Sequence, residues 1–259
     1  MHMSDSLGGY DFYDEGHNNL IEIPRYVDNG KVTADTLGKK DAKILEINSK
    51  TGLYPLYVAY SIYRTKYTEF SEQDLTLELQ EKLWNDTVEN NVYVICKTPM
   101  AKQITKRTLV GYKNVKINAH YFDDLINMLK NKPKQFKDRV LKPNYWKKEG
   151  VKEMKFDAIV GNPPYQDSTS VNNRAGAIYP HFYDIARELS NIYSLITPAR
   201  FLFNTGLTSK EWNKKMLSDP HLKVVRYEAD ATNIFPNTDI KGGIAIMLRD
   251  SSVNFGAIE

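Results

Sequence analysis

Short apolar runs rich in Val, Ile and Leu recur along this chain, separated by stretches with the apolar spacing of helices. That alternation constrains the fold more than any other feature. Strands are predicted at 42–47, 91–96, 115–118, 156–161, 193–197, 223–227 and 243–248. Helices are predicted at 54–65, 80–90, 99–109, 178–190 and 209–217. Strands that alternate with helices predict an α/β fold, a mostly parallel sheet with helices on both faces. Ligands of such sheets bind beyond the carboxyl ends of the strands, where the strand order reverses. At 259 residues the chain can hold one large α/β domain or at most two small ones. Residues 1–38 read as an irregular N-terminal segment, with one extended patch at 20–24, packing on a domain that runs 39–259.

The net charge of +3 is too mild to demonstrate a polyanionic partner, but its distribution is uneven. Residues 130–155 hold nine Lys and one Arg against Asp138, Glu149 and Glu153, a local balance of 10 − 3 = +7 that leaves −4 elsewhere. This stretch reads equally as a seat for a phosphate backbone or as a solvated, lysine-rich linker. Cys96 is the only cysteine, which excludes an internal disulfide or a Cys-rich zinc site and fits a reducing cytoplasm. No metal is expected. No apolar run approaches the length of a membrane span, so no membrane partner is expected.

The predicted strand at 156–161 stops on Asn162-Pro163-Pro164-Tyr165. The Asn side-chain oxygen and the Pro163 carbonyl are both acceptors, suited to gripping a planar amino group. Each proline fixes its own φ, and Pro164 also keeps Pro163 out of helical geometry, so the acceptors are set before substrate arrives. Tyr165 offers a ring face on which an unstacked base can lie. A proline-stiffened turn after a strand is the plainer alternative. The polar run 166–176 that follows reads as a mobile loop.

With these residues the chain resembles the S-adenosylmethionine-dependent amino-group methyltransferases, most closely the N6-adenine DNA methyltransferases. Their signature is a strand followed by Asp/Asn/Ser-Pro-Pro-Tyr/Phe. The resemblance implies a Rossmann-like class I methyltransferase fold, a seven-stranded sheet whose last strand is antiparallel. It also implies catalytic roles for Asn162, Pro163, Pro164 and Tyr165. Release-factor glutamine methyltransferases and some RNA methyltransferases carry the same tetrapeptide, so the rest of the chain must decide among them.

In that family the first strand ends in an acidic residue and a Gly-rich turn. The matching run here is Glu46-Ile47-Asn48-Ser49-Lys50-Thr51-Gly52. The resemblance assigns Glu46, Asn48, Thr51 and Gly52 to the cofactor, S-adenosylmethionine. Lys50 departs from the pattern, standing where the family has a glycine. The second strand ends in Cys96-Lys97-Thr98, without the carboxylate that holds the cofactor ribose in the family. The third-strand acid is matched by Asp123 or Asp124, which could equally form a helix cap.

Residues 234–243, Ile-Phe-Pro-Asn-Thr-Asp-Ile-Lys-Gly-Gly, resemble the family's late motif, which assigns Phe235 with Tyr165 to the flipped base. A core Phe in a turn is the alternative. The cofactor region precedes the catalytic motif, as in the gamma arrangement of type IIG-like restriction–modification methylases. The resemblance thus implies methylation of adenine N6 in double-stranded DNA by the modification part of a restriction–modification enzyme. A target-recognition domain, absent from this chain, with or without a nuclease domain, would complete the full-length protein. The rival expectations are an RNA or protein-glutamine methyltransferase, or a methyltransferase-like module that binds DNA or partners without catalysis.

Overall fold

The structure is a computed structural model that describes residues 9–13, 20–27, 39–71, 73–166, 176–235, 238 and 240–258. The chain divides into two compact units, Met1–Asp123 and Asp124–Glu259.

The first unit opens with a hairpin where an irregular segment is expected from the sequence. β1 (Gly9–Tyr13) pairs antiparallel with β2 (Leu20–Val27), from Gly9↔Val27 to Tyr13↔Leu20. The patch at 20–24 lies inside β2. Pro24 is tolerated there because each strand of a two-stranded sheet has a free edge. β3 (Ile44–Ser49) is buried along its whole length, two residues later than the predicted strand. The displacement has a cause in Asn91, whose side-chain amide donates to the carbonyls of Lys40 and Ala42 and ties that stretch into a turn.

α1 (Leu53–Tyr67) follows, then α2 (Leu77–Asn90), whose first turn is capped by the Thr76 hydroxyl accepting from the Leu79 amide. β4 (Val92–Cys96) is buried throughout, and α3 (Pro99–Val110) starts on a proline behind the Thr98 cap. β5 spans Asn118–Tyr121 rather than 115–118. Here Asn118 sets the register. It is 3 % exposed, and its side-chain amide donates to the Glu89 and Val92 carbonyls, so the strand begins at the polar residue.

In the second unit the basic stretch is not a bare linker. It folds as α4 (Leu125–Asn131), α5 (Pro133–Val140) and a 3-10 turn at Pro143–Trp146. Leu125, Leu129, Phe136, Val140, Trp146 and Met154 are buried, and the Trp146 indole donates to the Val140 carbonyl at 2.7 Å. The apolar residues spaced between the lysines therefore hold the segment to the protein while most of the ammonium groups remain at the surface. β6 (Ala158–Gly161), α6 (Tyr179–Leu189), β7 (Ile192–Pro198), α7 (Lys210–Leu217), β8 (Leu222–Glu228) and β9 (Ile244–Asp250) complete the chain.

The seven-stranded sheet has the order β5-β4-β3-β6-β7-β9-β8. β3, β4 and β5 are mutually parallel, as are β6 and β7. β9 runs antiparallel to both β7 and β8. A mostly parallel sheet with its last strand reversed is the architecture expected from the sequence. Among the described residues no helix is long and apolar enough to cross a membrane.

Candidate active site

The carboxyl end of β3 is irregular. Ile47 pairs with Ile95 and Ser49 with Cys96, leaving Asn48 as an inserted residue at φ 79°. Positive φ is uncommon outside glycine, and Asn tolerates it best because its short side chain bonds locally. Such a bulge re-aims the residues beyond it. Here it turns Ser49 inward, 0 % exposed, with its hydroxyl 3.3 Å from that of Thr105 on α3.

Gly52, the N-cap of α1, has φ 80° and ψ 12°. A Cβ there would lie 2.9 Å from the Thr105 Cα and 3.2 Å from the Thr108 Cβ. The turn thus needs glycine for its close approach to α3, a reason that holds whether or not a cofactor is bound. The Thr108 hydroxyl donates to the Thr51 carbonyl at 2.5 Å and fixes the same approach. α1 has no side-chain cap and no acidic residue in its first turn. Pro55 carries no amide hydrogen and the Leu56 amide donates to the Gly52 carbonyl, so the Leu53 amide and the positive dipole end of the helix are what it offers an anionic group. Exposed Lys50 and Thr51 border this end. The donor set fits the carboxylate of an amino-acid-bearing cofactor such as S-adenosylmethionine.

Glu46 is the main electrostatic anomaly of the turn. It is 5 % exposed, and its Oε2 is buried without a hydrogen-bond partner. Burial pushes its carboxyl up from 4.5 to about 8, against smaller opposing effects from the Ser49 hydrogen bond and Lys50. The adjacent Cys96 thiol is likewise pushed up to about 11, chiefly by burial. Glu46 is therefore a neutral acid at neutral pH, buried beneath the turn. Its folded-state pKa exceeds the unfolded one, so its contribution is most favourable below about 4.5 and is lost as pH rises through about 8. Stability of the Glu46→Gln variant relative to the native chain should accordingly improve between pH 5 and pH 9. Urea unfolding at the two pH values measures this, and a pH-independent difference would refute the assignment.

β4 ends without a carboxylate. Lys97 is exposed, and the Thr98 hydroxyl is spent on the Ala101 amide at 3.1 Å. At the end of β5 the two aspartates separate. Asp124 caps α4, accepting from the Asn127 amide at 3.2 Å, whereas Asp123 stands exposed on the turn. The cap reading thus holds for Asp124 and leaves Asp123 as the candidate cofactor ligand.

β6 delivers Asn162-Pro163-Pro164-Tyr165 at its carboxyl end, in parallel register with β7 through Gly161↔Leu195. Pro163 is buried, while Asn162, Pro164 and Tyr165 are half-buried. Beyond the tetrapeptide the backbone is pinned: the Ile178 amide donates to the Tyr165 carbonyl at 3.2 Å, and Gln166 forms a bridge with Ala177. Residues 167–175, expected to form a mobile loop, lie outside the described residues.

The Tyr165 hydroxyl is buried without a hydrogen-bond partner, and burial drives its pKa well above the usual phenol range. Close by, the Tyr183 and Thr197 hydroxyls bond at 2.8 Å. The Tyr165 hydroxyl thus points inward, and the side chain remains a neutral phenol throughout the working pH range.

The sequence profile of the Eco57I restriction-modification methylase family matches residues 90–235, more than half of the chain. The chain belongs to this family. Among curated proteins, an uncharacterized adenine-specific methylase of Mycoplasma pneumoniae is 36 % identical over 110 residues, covering 40 % of this chain and 26 % of the relative. The chain thus matches about a quarter of that relative's length. Among solved structures, the ATP-dependent type ISP restriction-modification enzyme LlaBIII bound to DNA aligns with a TM-score of 0.52 at 11 % identity. That alignment covers 89 % of this chain and 18 % of the enzyme, and it shows a shared fold.

The Eco57I-family match ends on Phe235, which is half-buried after the 3-10 turn Ala231–Asn233, its amide donating to the Ala231 carbonyl at 2.8 Å. Of the late motif, residues 236, 237 and 239 lie outside the described residues. Sequence reasoning missed the supports of the site. Ser49, Thr105 and Cys96 gather beneath the turn that follows β3, from three different elements. Their convergence needs the Asn48 bulge, which has no sequence signature beyond an Asn near a strand end.

Proposed function

We propose that this Eco57I-family chain methylates the exocyclic N6 amino group of adenine in DNA, using S-adenosylmethionine, as the modification part of a restriction–modification enzyme. The observation that carries this reading is the Asn-Pro-Pro-Tyr run set at the carboxyl end of the buried, parallel strand β6. Open parallel sheets bind their ligands beyond such ends.

Asn162 accepts a hydrogen bond from the adenine amino group through its side-chain oxygen, and the Pro163 carbonyl accepts a second. Two acceptors direct both N–H bonds toward the protein and leave the nitrogen lone pair facing away. Tyr165 holds the extruded base by its ring face, with Phe235 as the second aromatic contact. Asn48, Thr51, Gly52 and Asp123 would hold the cofactor, and the start of α1, which has no side-chain cap, would receive its carboxylate. Glu46 supports the turn from below. When bound, the cofactor supplies an electrophilic methyl group. The protein forms no covalent intermediate, and its contribution is positioning and lone-pair orientation. Residues 39–259 form the catalytic part, and target recognition rests on a further domain of the full-length protein.

Incubation with labelled S-adenosylmethionine and unmethylated genomic DNA, tRNA or release factor, in parallel, tests the reading. Label should enter DNA, and mass spectrometry of the digested DNA should find N6-methyladenine. Label in tRNA or release factor alone would overturn it. A second reading, a methyltransferase-like binding module, is favoured by Lys50 in the turn and by the absence of a carboxylate at the end of β4. Calorimetry separates the two, because such a module gives no heat with millimolar S-adenosylmethionine.

A further inference from the structure

Directly beyond β7 the chain makes a 3-10 turn, Ala199–Phe203. Arg200 in this turn has its aliphatic stem held between two other turns. A Cβ on Gly206 would lie 3.2 Å from the Arg200 Cβ, and one on Gly242 would lie 2.5 Å from its Cγ. Both glycines are left-handed, with φ +105° and +85°. Two separate segments thus forgo side chains around one arginine, a costly arrangement for a merely solvated cation. Among the described residues, no carboxylate is found paired with its guanidinium, whereas Arg187 and Arg249 share Asp219 and Arg226 meets Glu228.

Phe203 stands three residues on, above Arg200 in a 3-10 turn. It is 56 % exposed and packs edge-on against Tyr227, 44 % exposed, with ring centroids 5.6 Å apart at 69°. Nearby, the same unit buries Tyr183 and Phe201 in an aromatic cluster with Tyr179 and Trp212, so apolar cover was available to these rings. Tyr227 lies near the end of β8, beyond a bulge between Val224 and Arg226 that re-aims it. β7 pairs with β6, so Arg200 leaves the sheet at the same end as Asn162.

We propose that Arg200, Phe203 and Tyr227 form a seat for one strand of nucleic acid, the guanidinium on a backbone phosphate and the rings under unstacked bases. A cation on a clamped stem, in the same turn as an exposed ring, is the combination that recognises single strands. The identity of the strand as DNA rests on the methyltransferase reading above, but the seat itself does not.

The test uses a 20-nucleotide single-stranded DNA, its affinity measured across a salt series. Arg200→Met keeps the clamped stem and removes the charge, and its melting temperature reports whether the fold is retained. It should bind about tenfold more weakly near 0.1 M salt, with the log–log salt slope reduced by about 0.7, the value for one lost phosphate contact on a single strand. Tyr227→Ala should bind about tenfold more weakly with an unchanged slope. Native affinity and slope in Arg200→Met, or no binding by the native chain, would overturn the seat. If Arg200→Met loses binding while the native chain transfers no methyl group to DNA, the seat stands and the methyltransferase reading falls. If Arg200→Met binds and methylates like the native chain, the seat falls alone.

Discussion

Replacing Asn162 by Ala should lower methyl transfer to DNA at least about a hundredfold while leaving S-adenosylmethionine affinity unchanged. The scale is that of removing one pre-positioned polar group from a transition state that depends on it. Alanine removes the side-chain acceptor but leaves the backbone, whose course is set by Pro163, Pro164 and the bond from the Ile178 amide to the Tyr165 carbonyl. On the proposed reading the Pro163 carbonyl would still grip the amino group in the variant, but a single acceptor would no longer orient the lone pair. Asn162→Asp retains an acceptor and should keep measurable activity. Labelled-methyl incorporation beside calorimetry with the cofactor reads both quantities. A native rate in Asn162→Ala would remove the residue from catalysis.

The largest effect on stability is expected at Gly243, immediately before β9. Its φ is +74°, and an added Cβ would collide with the Glu228 carbonyl oxygen and lie 2.9 Å from the Ala229 Cα. Both are backbone atoms and cannot swing aside. Gly243 also accepts from the Ala199 amide at 3.0 Å, so displacement would disturb the turn that carries Arg200. Left-handed strain and overpacking each cost about 1–3 kcal/mol, giving about 3 kcal/mol in total for Gly243→Ala. For a chain of this size that lowers the melting temperature by about 10 °C. Gly150 supplies the control, with φ +72° and nothing within 4 Å of an added Cβ. Gly150→Ala should show only the left-handed term, about 1 kcal/mol. Equal losses in the two variants would refute the steric account.

Much of the architecture was legible because its signals are local. β4 and β6 announce themselves as short apolar runs, Pro99 marks the start of α3 and Ser209 that of α7, whereas α2 begins at Leu77, three residues ahead of the predicted start. The errors arose where a side chain far along the sequence decides. Asn91 holds residues 40–42 out of β3, and Asn118 starts β5 late by bonding the end of α2 and the start of β4. The basic stretch misled for a related reason: its lysines dominate the composition, yet Phe136, Val140 and Trp146 decide its structure.

The same division runs through the site. Asn-Pro-Pro-Tyr is rigid by its own covalent chemistry, so the run of residues alone fixes where the acceptors emerge after an apolar strand. The order of apolar and amphipathic segments likewise determined a mostly parallel sheet. Only folding decided that Gly52 is required by Thr105, that Glu46 holds its proton near neutrality, and that Arg200 is clasped by two glycine turns. Each of these depends on atoms from segments distant in sequence, brought together by packing and desolvation, which no local pattern encodes.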